Sequence, residues 1–153
     1  MSALDARLIE LGLVIPPVAK PLASYLPAMV SGSLVFTAGQ LPTVDGVLPA
    51  TGKVGATVEA AAAAEMARTC VLNGLAAAHG AIGSLDRITR VVKVVGFVAS
   101  EPSFTGQPGV INGASELLVE IFGEAGRHAR SAVGVAVLPL DSPVEIEFVF
   151  EFA

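Results

Sequence analysis

The stretch Val144-Glu145-Ile146-Glu147-Phe148-Val149-Phe150-Glu151-Phe152 decides the reading of this chain. Val144, Ile146, Phe148, Phe150 and Phe152 alternate with Glu145, Glu147, Val149 and Glu151. Successive side chains of a strand point to opposite faces, so the first set shares one face and the carboxylates take the other. The segment is therefore a half-buried strand, and the elements that bury it must lie upstream.

Working backwards from it, residues 131–138 read as another strand, joined to the last one by a turn from Leu138 to Pro143. A helix starts near Pro108, runs through Glu116-Leu117-Leu118-Val119 to Phe122 and ends at Gly123. Residues 87–98, rich in Val and Ile, predict a central strand. A long helix precedes it, capped by Thr57 with Glu59 in its first turn, running to about His79 and stopping near Gly80 and Gly83. Residues 26–31 and 33–39 flank Ser31-Gly32-Ser33 and predict a hairpin. A turn at Asp45-Gly46 is followed by a short strand at Val47-Leu48. At the start, residues 3–12 read as a short helix ended by Gly12, and residues 14–27, with Pro16, Pro17, Pro21 and Pro27, as mostly extended.

This order predicts an α+β fold, a mixed sheet with two helices packed on one face. Ala132, Gly134, Ala136 and Leu138 share one side of their strand and are small or apolar. They predict a far sheet face that packs against another copy of the chain. The whole of 1–153 reads as a single domain, with 1–24 forming an N-terminal helix and Pro-rich arm.

Composition narrows the function. Hydrophobic residues make up 53% and charged residues 15%, which excludes a disordered chain. The net charge is -5, and the nine Lys and Arg residues are scattered, so no basic footprint for a nucleic-acid backbone exists. The single cysteine, Cys70, cannot form an internal disulfide and reads as a small buried hydrophobe. The start, Met-Ser-Ala-Leu-Asp-Ala-Arg, lacks the basic, then apolar, pattern of a secretory signal. The alanine-rich stretch 60–78 is broken by Glu65, Arg68 and Asn73, which makes it a poor membrane span. The expectation is a cytoplasmic protein with no membrane partner.

The sequence contains no HExxH or Cys/His spacing around His79 and His128, no phosphate-binding glycine loop, and no GxSxG elbow. No metal or cofactor is expected. What remains is Arg130, which opens one strand, and Glu145, which opens the next. A guanidinium holds a carboxylate through two parallel hydrogen bonds, and a glutamate in a partly dry cleft can act as general base towards water. Composition alone favours a plainer reading, with Arg130 a surface charge and Glu145 a solvent-facing residue. If the two strands pair antiparallel through the 138–143 turn, Glu145 lies level with residue 136. Arg130 is then roughly 20 Å away, at about 3.4 Å per residue. A site using both would form from two chains.

Four segments resemble one family. Ala-Arg-Ser-Ala-Val-Gly-Val-Ala-Val-Leu-Pro (129–139) with Val-Glu-Ile-Glu (144–147) is similar to the C-terminal signature of the RidA (YjgF/YER057c/UK114) family. Phe-Thr-Ala-Gly-Gln-Leu-Pro (36–42) resembles that family's Thr-Ser-Gly-Gln-Ile-Pro, and Ala-Arg-Thr-Cys-Val-Leu-Asn (67–73) and Val-Ile-Asn (110–112) resemble its two helix patterns. Order and spacing agree from about Tyr25 onwards. The resemblance implies a chorismate-mutase-like fold and a homotrimer with clefts between subunits. It also implies cofactor-free hydrolytic deamination of small 2-imino or enamine acids to 2-keto acids and ammonia. It gives Arg130 the substrate carboxylate, Glu145 the attacking water, Tyr25 and Asn112 the cleft wall, and Gly39 a close backbone approach to the ligand. Gln40 and Glu147 are read as structural.

The chain departs from the family at two pocket positions. Ala38 stands where imine-hydrolysing members have Ser, and Ala132 where they have Cys, although the backbone carbonyl at 132 can still hold a water. The arm and the 123–128 segment are longer than usual, which marks a divergent subgroup. Two other functions follow as alternatives. One is a non-catalytic binding module for small carboxylate metabolites, and the other, ranked last on this acidic chain, is an endoribonuclease or translation inhibitor using His128 and Arg130.

Overall fold

A computed structural model describes residues 1–19 and 23–153. Its elements are α1 (Ala3–Glu10), β1 (Ala28–Ser31), β2 (Leu34–Thr37), α2 (Ala60–Ile82), β3 (Ile88–Ala99), α3 (Gln107–Phe122), β4 (Ala129–Val135) and β5 (Val144–Phe152). The strands form one mixed sheet in the order β1-β2-β5-β3-β4. Among the described strands only β3 and β4 run parallel, and α3 makes the crossover that a parallel pair requires.

The alternation in β5 fixes the two faces. Val144, Ile146, Phe148 and Phe150 are buried and face the helices. The rings of Phe148 and Phe150 stack with centroids 5.8 Å apart. Above them lie Ala63, Ala67, Cys70, Val71, Leu75 and Ala78 of α2, and Val110, Ile111, Ala114, Leu117 and Leu118 of α3, all buried. Small residues let the layers approach. A Cβ on Gly74 would overlap the Phe148 ring, and one on Gly113 would overlap the Ala64 carbonyl of α2. Cys70 is fully buried, as expected, and burial chiefly, with the charge of Glu145, raises its pKa.

Ser2 caps α1 in a reciprocal capping box with Asp5, and Leu11 takes the C-cap position, with Gly12 following in the left-handed region. The hairpin at Ser31–Leu34 matches the expectation. The Pro-rich segment carries no helix or strand through residue 19 and at 23–27, and Pro21 lies outside the described residues.

Several expectations need correction. Thr57 does not cap α2: residues 53–58 form their own turns, Gly55 N–H to Val58 O and Val58 N–H to Lys53 O, and Thr57 Oγ1 lies against Gly52. Glu59 takes the N-cap position without a side-chain cap. The helix passes Gly80 and stops at Gly83, whose φ of 81° supplies the left-handed C-cap. Val47-Leu48 is no strand, only a single bridge from Val47 to Val44 around the Asp45-Gly46 turn.

The larger correction concerns topology. β4 and β5 are not neighbours, because β3 lies between them. Val94 pairs with both Phe148 and Arg130, and Gly96 with both Ile146 and Ala132. Arg130, Ala132 and Gly134 thus lie on the helix-covered side, so they are not the far face. A Cβ on Gly134 would crowd the Gln107 side chain of α3. The far face carries Met29, Phe36, Val149, Val95, Phe97 and Val133, together with Glu145 and Glu147. Met29 is 56%, Phe36 41% and Val133 44% exposed, an apolar surface with no cover among the described residues.

Candidate functional site

The expected site residues fall into two groups on opposite faces of the sheet. In the first, the segment after β2 runs on beside the start of β5. Gln40 N–H donates to Ile146 O at 2.8 Å, and Ile146 N–H returns the bond to Gln40 O at 3.0 Å. The Gln40 side chain donates to Ala38 O at 3.0 Å, so it has a structural role, as expected. This pairing brings Gly39 directly against Glu145, where a Cβ would overlap the carboxylate oxygen Oε1. Glycine here is a matter of space. Glu145 is half-buried, and burial first, then the charge of Glu147 on the same face, raises its carboxyl pKa. A carboxylate destabilised in this way is a better proton acceptor than an exposed one.

Gly39 also walls a cleft of about 520 Å³, bounded elsewhere by Pro16, Pro17 and Val18 of the arm and by Ala77 of α2; Glu145 does not line it. Tyr25, Ala38, Gly39 and Leu140 line it, with Asn73 at its base. Asn73 Nδ2 donates to Leu41 O at 2.9 Å and Thr43 O at 3.1 Å, anchoring the cleft wall to α2. Tyr25 is about half exposed, presenting its ring at the rim. Ala38 offers the cleft only a methyl group.

In the second group, Arg130 on β4 reaches back over α3. Its Nη1 donates to Asn112 Oδ1 at 2.8 Å and to Ser115 Oγ at 3.2 Å. Ser115 Oγ also lies 2.9 Å from His128 Nε2, and His128 Nδ1 lies 2.6 Å from Gly126 O. The Gly126 carbonyl can only accept, so Nδ1 carries the proton. Burial chiefly, opposed by the Gly126 bond and joined by the charge of Arg130, lowers the pKa of His128. Ala132, one strand step on, is partly buried against the core.

Within one chain these groups do not meet. Phe97 pairs with Glu145 on one side and Val133 on the other, three residues beyond Arg130. Glu145 and Arg130 therefore lie two strands apart on opposite faces, roughly 14 Å between backbones by strand spacing and rise. The hairpin register that predicted a wide separation was wrong, yet the separation itself holds. Arg130 and Asn112 were anticipated together. Ser115 was missed, although its place one turn after Asn112 on the same helix face was a usable signal. His128 was considered only for RNA cleavage. Among the described residues, no group of three or more His, Cys, Asp or Glu side chains is arranged to hold a metal ion.

Residues 5–153 match the family described as "YjgF/chorismate mutase-like, putative endoribonuclease". The chain belongs to this YjgF/RidA family. Protein TCP17 of Trypanosoma cruzi is 44% identical over 147 residues, covering 95% of this chain and 92% of that protein. The crystal structure of Atu1372 from Agrobacterium tumefaciens, a protein described as having unknown function, is 45% identical with a TM-score of 0.91, covering 98% of this chain and 92% of that one. Escherichia coli TdcF, solved with bound serine, is 26% identical with a TM-score of 0.65, covering 91% of this chain and 94% of that one. The mixed sheet of β1 to β5 with its helices is thus the YjgF fold. Among the described residues of this YjgF protein, no helix is long and apolar enough to cross a membrane.

Proposed function

We propose that this protein hydrolyses small reactive 2-imino or enamine acids to 2-keto acids and ammonia, in clefts between the subunits of a cytoplasmic homotrimer, without a cofactor. The observation that carries this reading is the split of the candidate site. A guanidinium with an unused edge lies on the helix-covered face of the edge strand, and a carboxylate with a raised pKa lies on the far face of the middle strand, against Gly39 of the cleft wall. Neither half is complete alone, and the uncovered apolar face that carries Glu145 suits contact with other copies. The serine bound to TdcF is a small carboxylate of the same class.

In this reading one protomer's Arg130 holds the substrate carboxylate while Asn112 and Ser115 fix its direction. Glu145 of a neighbour takes a proton from water as the oxygen attacks the imine carbon. Glu145 returns that proton to nitrogen, giving the carbinolamine; it then takes the carbinolamine hydroxyl proton and passes it to the amine as the C–N bond breaks, releasing ammonia and leaving the 2-keto acid. Tyr25 and the Gly39 backbone bound the substrate, and the Ala132 carbonyl is a candidate hold for the water. The domain unit is the whole chain, 1–153, with 1–24 as its arm.

A second reading, a binding module for small carboxylates without turnover, is favoured by one observation: Ala38 and Ala132 bring no polar side-chain atoms to the pocket. Endoribonuclease activity, the name carried by the family description, ranks third because the chain has a net charge of -5 and its nine Lys and Arg residues are scattered along the sequence. The deciding experiment is ammonia release from freshly generated 2-iminobutanoate. Turnover above buffer that disappears in Arg130→Ala supports the enzyme; saturable binding of 2-ketobutyrate with no turnover supports the module.

A further inference from the structure

We propose that Ser115 and His128 are part of the Arg130 anion site and make it bind a small carboxylate together with a proton. This rests on Arg130 as the carboxylate anchor and adds two residues that the family resemblance does not assign.

A guanidinium has five N–H groups. Both on Nη1 are engaged, by Asn112 Oδ1 at 2.8 Å and Ser115 Oγ at 3.2 Å. Among the described residues nothing accepts from Nε or Nη2, so the edge carrying those two nitrogens is left for a ligand. That edge is a bidentate face matched to a carboxylate. Asn112 and Ser115 thereby select how the anion sits, and they do so from one face of α3.

Gly126 O accepts from His128 Nδ1. In neutral His128, Nε2 has only a lone pair, so the Ser115 hydroxyl must donate its hydrogen to it, across 2.9 Å. The hydroxyl hydrogen is then turned away from Arg130 and from any ligand on it. When His128 gains a proton, Nε2–H becomes the donor and Ser115 Oγ accepts from both His128 and Arg130. The Ser115 hydrogen is released and can be offered to an anion. One protonation thus adds a positive charge and a hydroxyl donor to the site.

The charged groups on the elements around His128 are Glu116 of α3, Glu124 and Arg127 of the turn before β4, Lys93 of β3, and Arg130 itself. Glu124 and Arg127 pair with each other in solvent at 3.3 Å. Arg130 is the charge that acts on the imidazole, and with burial it holds His128 below its ordinary pKa. A carboxylate neutralising Arg130 removes that opposition. By linkage, what makes the proton easier to bind makes the anion easier to bind by the same factor.

The experiment is calorimetric titration of the full-length protein with 2-ketobutyrate between pH 8 and pH 5.5, in buffers of different ionisation enthalpy. Wild type is expected to bind about fivefold more tightly at the acid end, with net proton uptake, a size typical of coupled sites. His128→Gln keeps an acceptor for Ser115 but cannot be protonated, and it is expected to lose the uptake. Glu145→Gln should keep it, which separates His128 from the raised carboxyl of the other half, and His79→Gln should behave as wild type. In the ligand-free protein, an NMR titration of His128 should move upward in Arg130→Ala. Binding without proton uptake, or a His128 titration indifferent to Arg130, overturns the proposal and leaves the anchor role of Arg130 standing. Wild type that binds no 2-ketobutyrate at any pH overturns both.

Discussion

The two halves of the candidate site are built on opposite principles. Glu145 lies on a strand bonded on both sides, pressed against Gly39, and its chemistry comes from lost solvent and a like charge. Arg130 lies on the edge strand β4, and its direction comes from a chain of partners: Asn112, Ser115, His128 and the Gly126 carbonyl. The first half is shaped by exclusion and the second by connection. A change of volume should therefore injure the Glu145 half, and a change of hydrogen bonding should injure the Arg130 half.

The largest expected effect is Arg130→Ala. Loss of a bidentate, charge-assisted pair should lower kcat/KM for 2-iminobutanoate by about a thousandfold. Thermal stability should barely move, because the side chain crosses the surface of α3 at a sheet edge. A melting temperature that falls as steeply as the activity would make Arg130 a structural residue. Next comes Glu145→Gln, expected to lower kcat by about a hundredfold while 2-ketobutyrate still binds, as for a lost general base. If KM rises and kcat holds, Glu145 belongs to binding and the contrast between the halves fails.

How far these halves were legible in the sequence follows from their physics. The alternation in 144–152 gave the face and burial of β5, because a period of two has one structural meaning. The start of α3 at Pro108 and its end at Gly123 were readable for the same local reason. The strand order was not. A short turn between 138 and 143 suggests a hairpin, whereas β5 inserts between β2 and β3 and β4 is sent to the edge. Long-range pairing is decided by how α2 and α3 cover the sheet, and no local pattern carries that. The same error put Ala132 and Gly134 on the wrong face. Arg130 and Glu145 stood out as isolated charges in an apolar chain, but Ser115 did not, because a helical serine is ordinary until a partner such as His128 comes within 2.9 Å.

Gly39→Ala tests exclusion directly. The added Cβ would overlap Glu145 Oε1, so the carboxylate must swing away. The side chain is flexible, so folding should survive. An activity loss of about tenfold is expected, the order of a misplaced catalytic group, with little change in Arg130-dependent ligand binding. Unchanged kcat in Gly39→Ala would mean that the contact does not position Glu145.

The smallest effect sharpens the contrast most, because the two halves should lean opposite ways with pH. His128 has a lowered folded pKa, caused first by burial. Its contribution to stability is complete above its unfolded pKa and is lost as pH falls through the folded value. Glu145 has a raised folded pKa, again caused first by burial. Its contribution is complete below its unfolded pKa and is lost as pH rises through the folded value. His128→Gln should therefore remove part of the acid-side loss of stability, and Glu145→Gln should stabilise the protein near neutral pH. Both groups are only half-buried, so solvent screening should hold each change to about 0.5 kcal/mol. Chemical denaturation at pH 5 and pH 7.5 measures both slopes. If the two variants change the difference in stability between pH 5 and pH 7.5 in the same direction, the halves do not differ in the way their surroundings dictate.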